Sequence, residues 1–224
     1  MDLGLHSTST RTAGDTKPSV VYVVDDDESI RLALSDLLCS VGLRVETFES
    51  SQQFLAFPRY DAPSCLILDV RLRGESGLTF QEEVAKSGLR IPILFMTGHG
   101  DVEMSVRAMK AGALDFFPKP FRDQDMLDAV GRALTRDAER LAAERSNAAL
   151  RSSYDSLTPR EREVLKFVVT GLMNKQIASE MNLCEITVKT YRREAMRKMA
   201  ARSVADLVRK AETLGISPHP IKKS

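Results

Sequence analysis

Asp25, Asp26 and Asp27 directly follow the apolar run VVYVV (20–24), and Asp69 stands at the end of a second run, CLILDV (65–70). Thr97 follows IPILFM (91–96) with the small Gly98 behind it, and Lys119 comes just after ALDFF (113–117). If these runs are parallel neighbouring strands, their ends meet at one edge and these side chains share a pocket. Clustered carboxylates repel one another and so require a cation. A donor set made of oxygen alone, with positions left open, suits Mg²⁺. A carboxylate beside such an ion can attack phosphorus and become an aspartyl phosphate. The ion and an ammonium then neutralise the charge of the transferring group. The Thr97 hydroxyl can donate to a phosphoryl oxygen, and Gly98 leaves room for that group.

The elements that must position these residues are legible from periodicity. A fifth apolar run, LRVETF (43–48), joins the four already named, and helix-like segments lie near 28–40, 50–57, 76–87 and 102–111. Five β–α repeats predict a doubly wound α/β fold with a five-stranded parallel sheet covered on both faces. Such sheets take ligands outside the carboxyl ends of their strands. Asp27 and Glu28 read as helix N-terminal charges.

A long polar helix is expected from Arg122 to Ser153, with Leu127, Leu134, Leu141 and Ala148 recurring every seven residues. That recurrence fits a dimer seam and an exposed helix with one apolar stripe equally well. Beyond it, Thr158, Pro159 and Glu161 form a capping-box start. Four short helices follow near 159–170, 174–181, 186–199 and 203–213, with Gly171 and Asn182 as stop and turn residues. The chain thus divides into a tail (1–18, expected to be disordered), an α/β domain (19–121), a helical linker (122–153), an all-α four-helix domain (154–214) and a second tail (215–224).

Of the 224 residues, 43% are hydrophobic and 28% charged, an ordinary globular composition. The net charge of +1 excludes a uniformly basic or acidic protein, but residues 1–152 carry 18 basic and 23 acidic side chains, and residues 153–224 carry 14 and 8. The second half therefore faces a polyanion. Cys39, Cys65 and Cys184 form no paired motif and read as small buried hydrophobes of a reducing compartment. His6, His99 and His219 are isolated, which argues against a histidine metal site. No secretory signal or membrane-length apolar run is visible, so a cytoplasmic location is expected.

The segments NKQIASEM (174–181) and ITVKTYRREAMRKM (186–199) have helix–turn–helix spacing. The second is expected to bury Ile186, Val188, Ala195, Met196 and Met199, leaving Lys189, Thr190, Arg192, Arg193 and Arg197 for a major groove and its phosphates. Arginine there could also read guanine edges.

Taken together, VVDDDESIR (23–31), LILDVRLRGESG (66–77), FMTGHGD (95–101) and DFFPKPF (115–121) resemble the receiver domain of bacterial two-component response regulators. The resemblance implies that Asp69 accepts phosphate from a sensor histidine kinase. It implies that Asp25 and Asp26 organise Mg²⁺, with Asp26 and the Arg71 backbone carbonyl as direct ligands alongside Asp69. Thr97 and Lys119 would contact the phosphoryl group, Phe116 would be the aromatic switch, and Lys119–Pro120 would be cis. Arg73 stands where many receivers have proline. Residues 156–211 are similar to the LuxR/FixJ-type output domain, with Lys175–Met181 as scaffold helix and Thr187–Met199 as recognition helix. The candidates for contact with double-stranded DNA are Lys175, Thr187, Lys189, Thr190, Arg192, Arg193 and Arg197. Tyr191 replaces a frequent histidine, and Leu207 and Ala211 fit a dimer surface or a core. The implied whole is a phosphorylation-dependent transcriptional regulator, not an enzyme, that dimerises through 102–117, a surface that includes Val106, Met109 and Lys110. Two rivals exist: a haloacid-dehalogenase-type phosphatase, against which Arg71 stands two residues after Asp69 where an acid belongs, and a module that binds RNA or protein.

Overall fold

The structure is a computed structural model that describes residues 18–72, 75–98 and 102–217. The three histidines, Arg73 and the greater part of both expected tails lie outside the described residues. Five parallel strands, β1 (Val20–Val24), β2 (Arg44–Phe48), β3 (Ser64–Asp69), β6 (Ile93–Thr97) and β7 (Asp115–Pro118), form one sheet in the order β2-β1-β3-β6-β7. A two-stranded antiparallel hairpin, β4 (Arg71–Leu72) and β5 (Glu75–Ser76), follows β3 at once. The sequence gives no sign of this hairpin, because strands of two residues are too short to show an alternation.

The three central strands, β1, β3 and β6, are buried on both faces, as their near-continuous apolar runs require. Tyr22, Leu66, Leu68 and Phe95 point into one core, with Phe54 of α2 (Ser51–Ala56), Phe80 of α3 (Gly77–Lys86) and Ala108 of α4 (Val102–Lys110). Val21, Val23, Ile67, Leu94 and Met96 point into the other. There they meet Leu34 and Leu38 of α1 (Glu28–Ser40) and Met126, Ala129, Val130, Ala133 and Leu134 of α5 (Asp123–Asp155). Asp27 caps α1 by accepting from Ser29 N at 2.8 Å.

The described chain divides into two compact units between Leu141 and Ala142, within the 33-residue α5. Leu127 and Leu134 of its seven-residue recurrence pack against the sheet, whereas Ala148 is exposed. In the first unit, buried Asp137 of α5 accepts from Ser64 N at 2.8 Å and pairs with Arg140 at 2.8 Å, tying the helix to the start of β3.

The second unit holds α6 (Pro159–Val169), α7 (Asn174–Met181), α8 (Glu185–Lys198) and α9 (Val204–Thr213) around a core that includes Leu165, Ile177, Val188, Ala195 and Met199. Leu207 and Ala211 of α9 are also fully buried there, which assigns them to the core. Asn182 turns the chain from α7 to α8 with φ +53°. Two sequence expectations need correcting. Ile186 is 75% exposed, because it lies in the first turn of α8, on the side away from the core. Of the cysteines only Cys65 is buried; Cys39 lies on the outer side of α1 and Cys184 is the N-cap of α8.

The capping box of α6 does more than begin a helix. Glu161 accepts from Thr158 N at 2.8 Å and also from Lys198 Nζ of α8 at 2.7 Å. Burial alone would raise its pKa, but the Lys198 and Thr158 hydrogen bonds outweigh burial and hold it below the usual glutamate value. A folded-state pKa below the unfolded one adds stability above the unfolded value, and that stability is lost as pH falls through the folded one. Glu161→Gln should therefore weaken hydrogen-exchange protection of α6 and α8 by about 1–2 kcal/mol at neutral pH. The difference from wild type should shrink as pH drops below about 4.3.

Candidate functional site

The carboxyl ends of β1 and β3 flank the point where the strand order reverses, and a cleft of about 750 Å³ opens there. Asp25, Asp26, Asp69, Arg71, Gly98 and Lys119 line it, as the sequence anticipates. One oxygen from each of Asp25, Asp26 and Asp69 lies within 4.8 Å of the others. Lys119 Nζ sits 2.7 Å from Asp25 Oδ2 and 3.3 Å from Asp69 Oδ2.

Each position has a local cause. Register sets Val24 beside Leu68 and Asp69 beside Met96, so three successive strands deliver their terminal residues to one edge. Lys119 is placed by its own N–H, which donates to the Thr97 carbonyl at 2.6 Å; the Lys119–Pro120 peptide is cis, as the resemblance implies. Asp25 is wholly buried and accepts from Asp27 N at 2.9 Å. Asp69 Oδ1 accepts from Arg71 N at 3.3 Å. Thr97 is fully buried at the end of β6. Phe116 is half-buried against the core of the α2–α4 face, paired in register with Phe95.

The electrostatics follow from burial and proximity. Burial pushes the Asp69 carboxyl above its ordinary pKa; the Lys119 charge opposes this and the Asp25 charge adds to it. Burial alone would lower the Lys119 pKa, but the hydrogen bond to Asp25 and the charges of Asp25 and Asp69 raise it. The ammonium is thus held protonated between two carboxylates. All-oxygen donors of this count and spacing fit a hard divalent cation such as Mg²⁺.

Three neighbours escape the sequence reading. Arg31 Nη1 donates to the Asp25 carbonyl at 2.7 Å and lines the cleft, as does Glu49. Arg31 lies six residues beyond Asp25, a spacing with no chemistry of its own, and Glu49 comes from the end of another strand. Gly77 is the third. A Cβ there would overlap the Asp69 carbonyl oxygen and stand 3.0 Å from Val70 Cα, so only glycine lets α3 begin beside Asp69.

In the second unit, Lys175, Lys189, Thr190, Arg193 and Arg197 are exposed. Lys189 pairs with Glu185 at 3.1 Å and Arg197 with Glu194 at 2.9 Å, both well solvated. Such pairs contribute about 0–1 kcal/mol and are readily exchanged for phosphate. Arg192 is half-buried and donates to Asn174 Oδ1 at 2.9 Å, which joins α8 to α7. Half-buried Thr187 meets the Cys184 sulfur at 2.9 Å at the start of α8. Tyr191 packs against the core.

Two family models match the chain: the response regulator receiver domain over residues 21–131 and the bacterial regulatory proteins of the luxR family over residues 155–221. Nodulation protein W of Bradyrhizobium diazoefficiens is 55% identical over 206 residues, covering 92% of this chain and 90% of that protein. Transcriptional regulatory protein FixJ of Azorhizobium caulinodans is 40% identical over 198 residues, covering 88% and 94%. Among solved structures, response regulator StyR is 46% identical with a TM-score of 0.81, covering 88% of this chain and 99% of that one. Full-length FixJ from B. japonicum is 37% identical with a TM-score of 0.52, covering 90% and 98%.

Two glycines should respond to alanine with opposite signs. Gly77→Ala must displace the Asp69–Val70 backbone and should cost about 1–3 kcal/mol in urea unfolding of the first unit. Gly131 of α5 has open space around its Cα, so Gly131→Ala should add about 0.5–1 kcal/mol by helix propensity.

Proposed function

The chain belongs to the bacterial response regulators, with a receiver domain and a LuxR-type helix–turn–helix domain, and on that premise we propose a working cycle centred on Asp69. Two of its relatives, FixJ and TdiR, are named transcriptional regulatory proteins. The observation that carries the proposal is the convergence of Asp25, Asp26 and Asp69 oxygens within 4.8 Å beside Lys119 Nζ. An Asp69 oxygen attacks the phosphorus of a phosphohistidine on a sensor histidine kinase; the P–N bond breaks and an aspartyl phosphate forms. Asp26, Asp69 and the Arg71 carbonyl would hold Mg²⁺, with Asp25 organising the set, and the bound ion supplies charge neutralisation at the phosphoryl oxygens. Lys119 gives up its contact with Asp69 and pairs with the phosphoryl group while keeping Asp25. The Thr97 hydroxyl donates to a phosphoryl oxygen, and Phe116 repacks into the space that this movement leaves.

The surface that reads out the change is 102–117. Val106 and Met109 of α4 are 45% and 46% exposed, two apolar side chains on a helix that borders Phe116's strand. Repacking there favours a dimer, a population shift driven by one local charge change. The dimer presents two output domains (154–214), carried on the 122–153 helix, to duplex half-sites about ten base pairs apart or multiples of that. Lys175, Lys189, Arg193 and Arg197 meet phosphates, and Thr190 and Arg193 reach base edges. Arg192 and Thr187 act from behind, holding α8 against α7 and forming its first turn. The setting is the cytoplasm, where kinase, DNA and Mg²⁺ coexist.

Incubation with Mg²⁺ and a small acyl phosphate should add the mass of one phosphoryl group to wild type and none to Asp69→Asn. The phosphorylated protein should sediment as a dimer, and Asp69→Asn should stay monomeric under the same conditions. An adduct that persists in Asp69→Asn would remove Asp69 from its role.

A further inference from the structure

One apolar side chain stands on the face of α8 that otherwise carries cations and a hydroxyl. Ile186 is 75% exposed, the most exposed large apolar side chain among the described residues. It is the second residue of α8. Val188, Ala195 and Met199 fill the inner side of this helix, with Tyr191 and Met196 packed against the same core. Residues three, four, seven and eleven positions apart share one face of a helix. From Ile186 those positions are Lys189, Thr190, Arg193 and Arg197, and all four are exposed. Thr190 Oγ1 donates to the Ile186 carbonyl at 3.1 Å, which sets the Thr190 side chain one turn along from Ile186. Glu185, the acid of the same turn, pairs with Lys189 at 3.1 Å. Single apolar residues scattered over a surface need no explanation. Ile186 is not of that kind, because it forms the N-terminal end of a basic face.

Its position and its type both bear on what that face can read. The N-terminal residues of a helix lying in a major groove are the ones that meet base edges. Isoleucine has no donor or acceptor to offer a base. The groove does have one apolar feature, the C5 methyl group that thymine alone among the four bases carries. A β-branched side chain in a helix is held to essentially one χ1 rotamer. Ile186 therefore presents its methyl groups in a fixed direction and loses little freedom on contact. Its apolar surface is in water in the free chain, and packing on a methyl group removes both surfaces from water at once.

Resting on the reading of α8 as the recognition helix, we infer that Ile186 is a specificity-determining residue that packs on the C5 methyl group of a thymine in each half-site. Lys189 and Arg197 hold phosphates around it and Arg193 reaches a neighbouring base edge. Those contacts supply affinity for duplex DNA. Ile186 selects thymine over cytosine, which presents an amino group and no methyl at the same edge.

The test begins by enriching duplexes from a random pool with the full chain, Mg²⁺ and an acyl phosphate. Each thymine of an enriched duplex is then replaced by deoxyuridine, which removes the methyl group and keeps every hydrogen-bonding group. One thymine per half-site should weaken wild-type binding about fourfold when replaced, as the burial of one methyl group implies. Ile186→Ala should bind the thymine and deoxyuridine duplexes equally, because the methyl has lost its partner. That substitution removes only exposed atoms and alanine is the better helix former; thermal unfolding checks its fold. Lys189→Ala should weaken binding to both duplexes alike and keep the thymine preference. An enriched duplex with no methyl-dependent thymine, or the same thymine preference in Ile186→Ala as in wild type, would overturn the inference and leave DNA binding standing. A pool from which nothing is enriched would remove DNA binding and the inference together.

Discussion

Three carboxylates whose oxygens approach within 4.8 Å cannot all stay ionised in a half-buried cleft unless positive charge is built in beside them. Much of the first domain follows from that requirement. A parallel sheet brings the ends of β1 and β3 together, and the next strands out, β6 and β7, supply Thr97 and Lys119 to the same edge. Lys119 meets two of the carboxylates and offsets part of the repulsion. The remainder is left for a cation, which would also balance the charge of an incoming phosphoryl group. Gly77 removes the one side chain that would force Asp69 out of this arrangement. The site is crowded with negative charge, and a bound cation together with Lys119 is what can balance it.

What the sequence could show depended on how each feature is encoded. Strands buried on both faces are continuous apolar runs, so β1 and β3 were visible, and the residues after them were the site. The α6 capping box was visible because Thr158, Pro159 and Glu161 act on their own helix. The second partner of Glu161 is Lys198, 37 residues away, and no local pattern announces it. Asp137 was hidden in the same way, as one acid among many on a polar helix whose partner Ser64 is 73 residues distant.

The recognition helix shows where a periodicity argument reaches its limit. Ile186 has the spacing of a core residue, yet Val188, Ala195 and Met199 already fill the inner side of α8. Arg192, by contrast, is half-buried and donates from Nη1 to Asn174, so part of its guanidinium is used within the domain. An exposed isoleucine beside Lys189 and Arg193 adds an apolar patch to a basic face, and thymine methyl groups are the apolar feature of a major groove.

The long helix α5 bears on how two copies could meet. A coiled-coil seam needs its apolar positions sustained over about three to four heptads. Of the four recurrences here, Leu127 and Leu134 are taken by the core beneath the sheet. Only Leu141 and Ala148 remain, and every residue from 142 to 149 is exposed and mostly polar or alanine. Two positions of that kind bury too little apolar surface to hold two chains together. Among the described residues of α4, Val106 and Met109 are exposed apolar side chains, on a helix that contacts β7. A dimer formed there is governed by the strand that carries Phe116, whereas one formed along α5 would be indifferent to it. This contrast supports the proposed surface on α4 and β7 rather than α5, whose exposed polar stretch lies at the boundary between the two units.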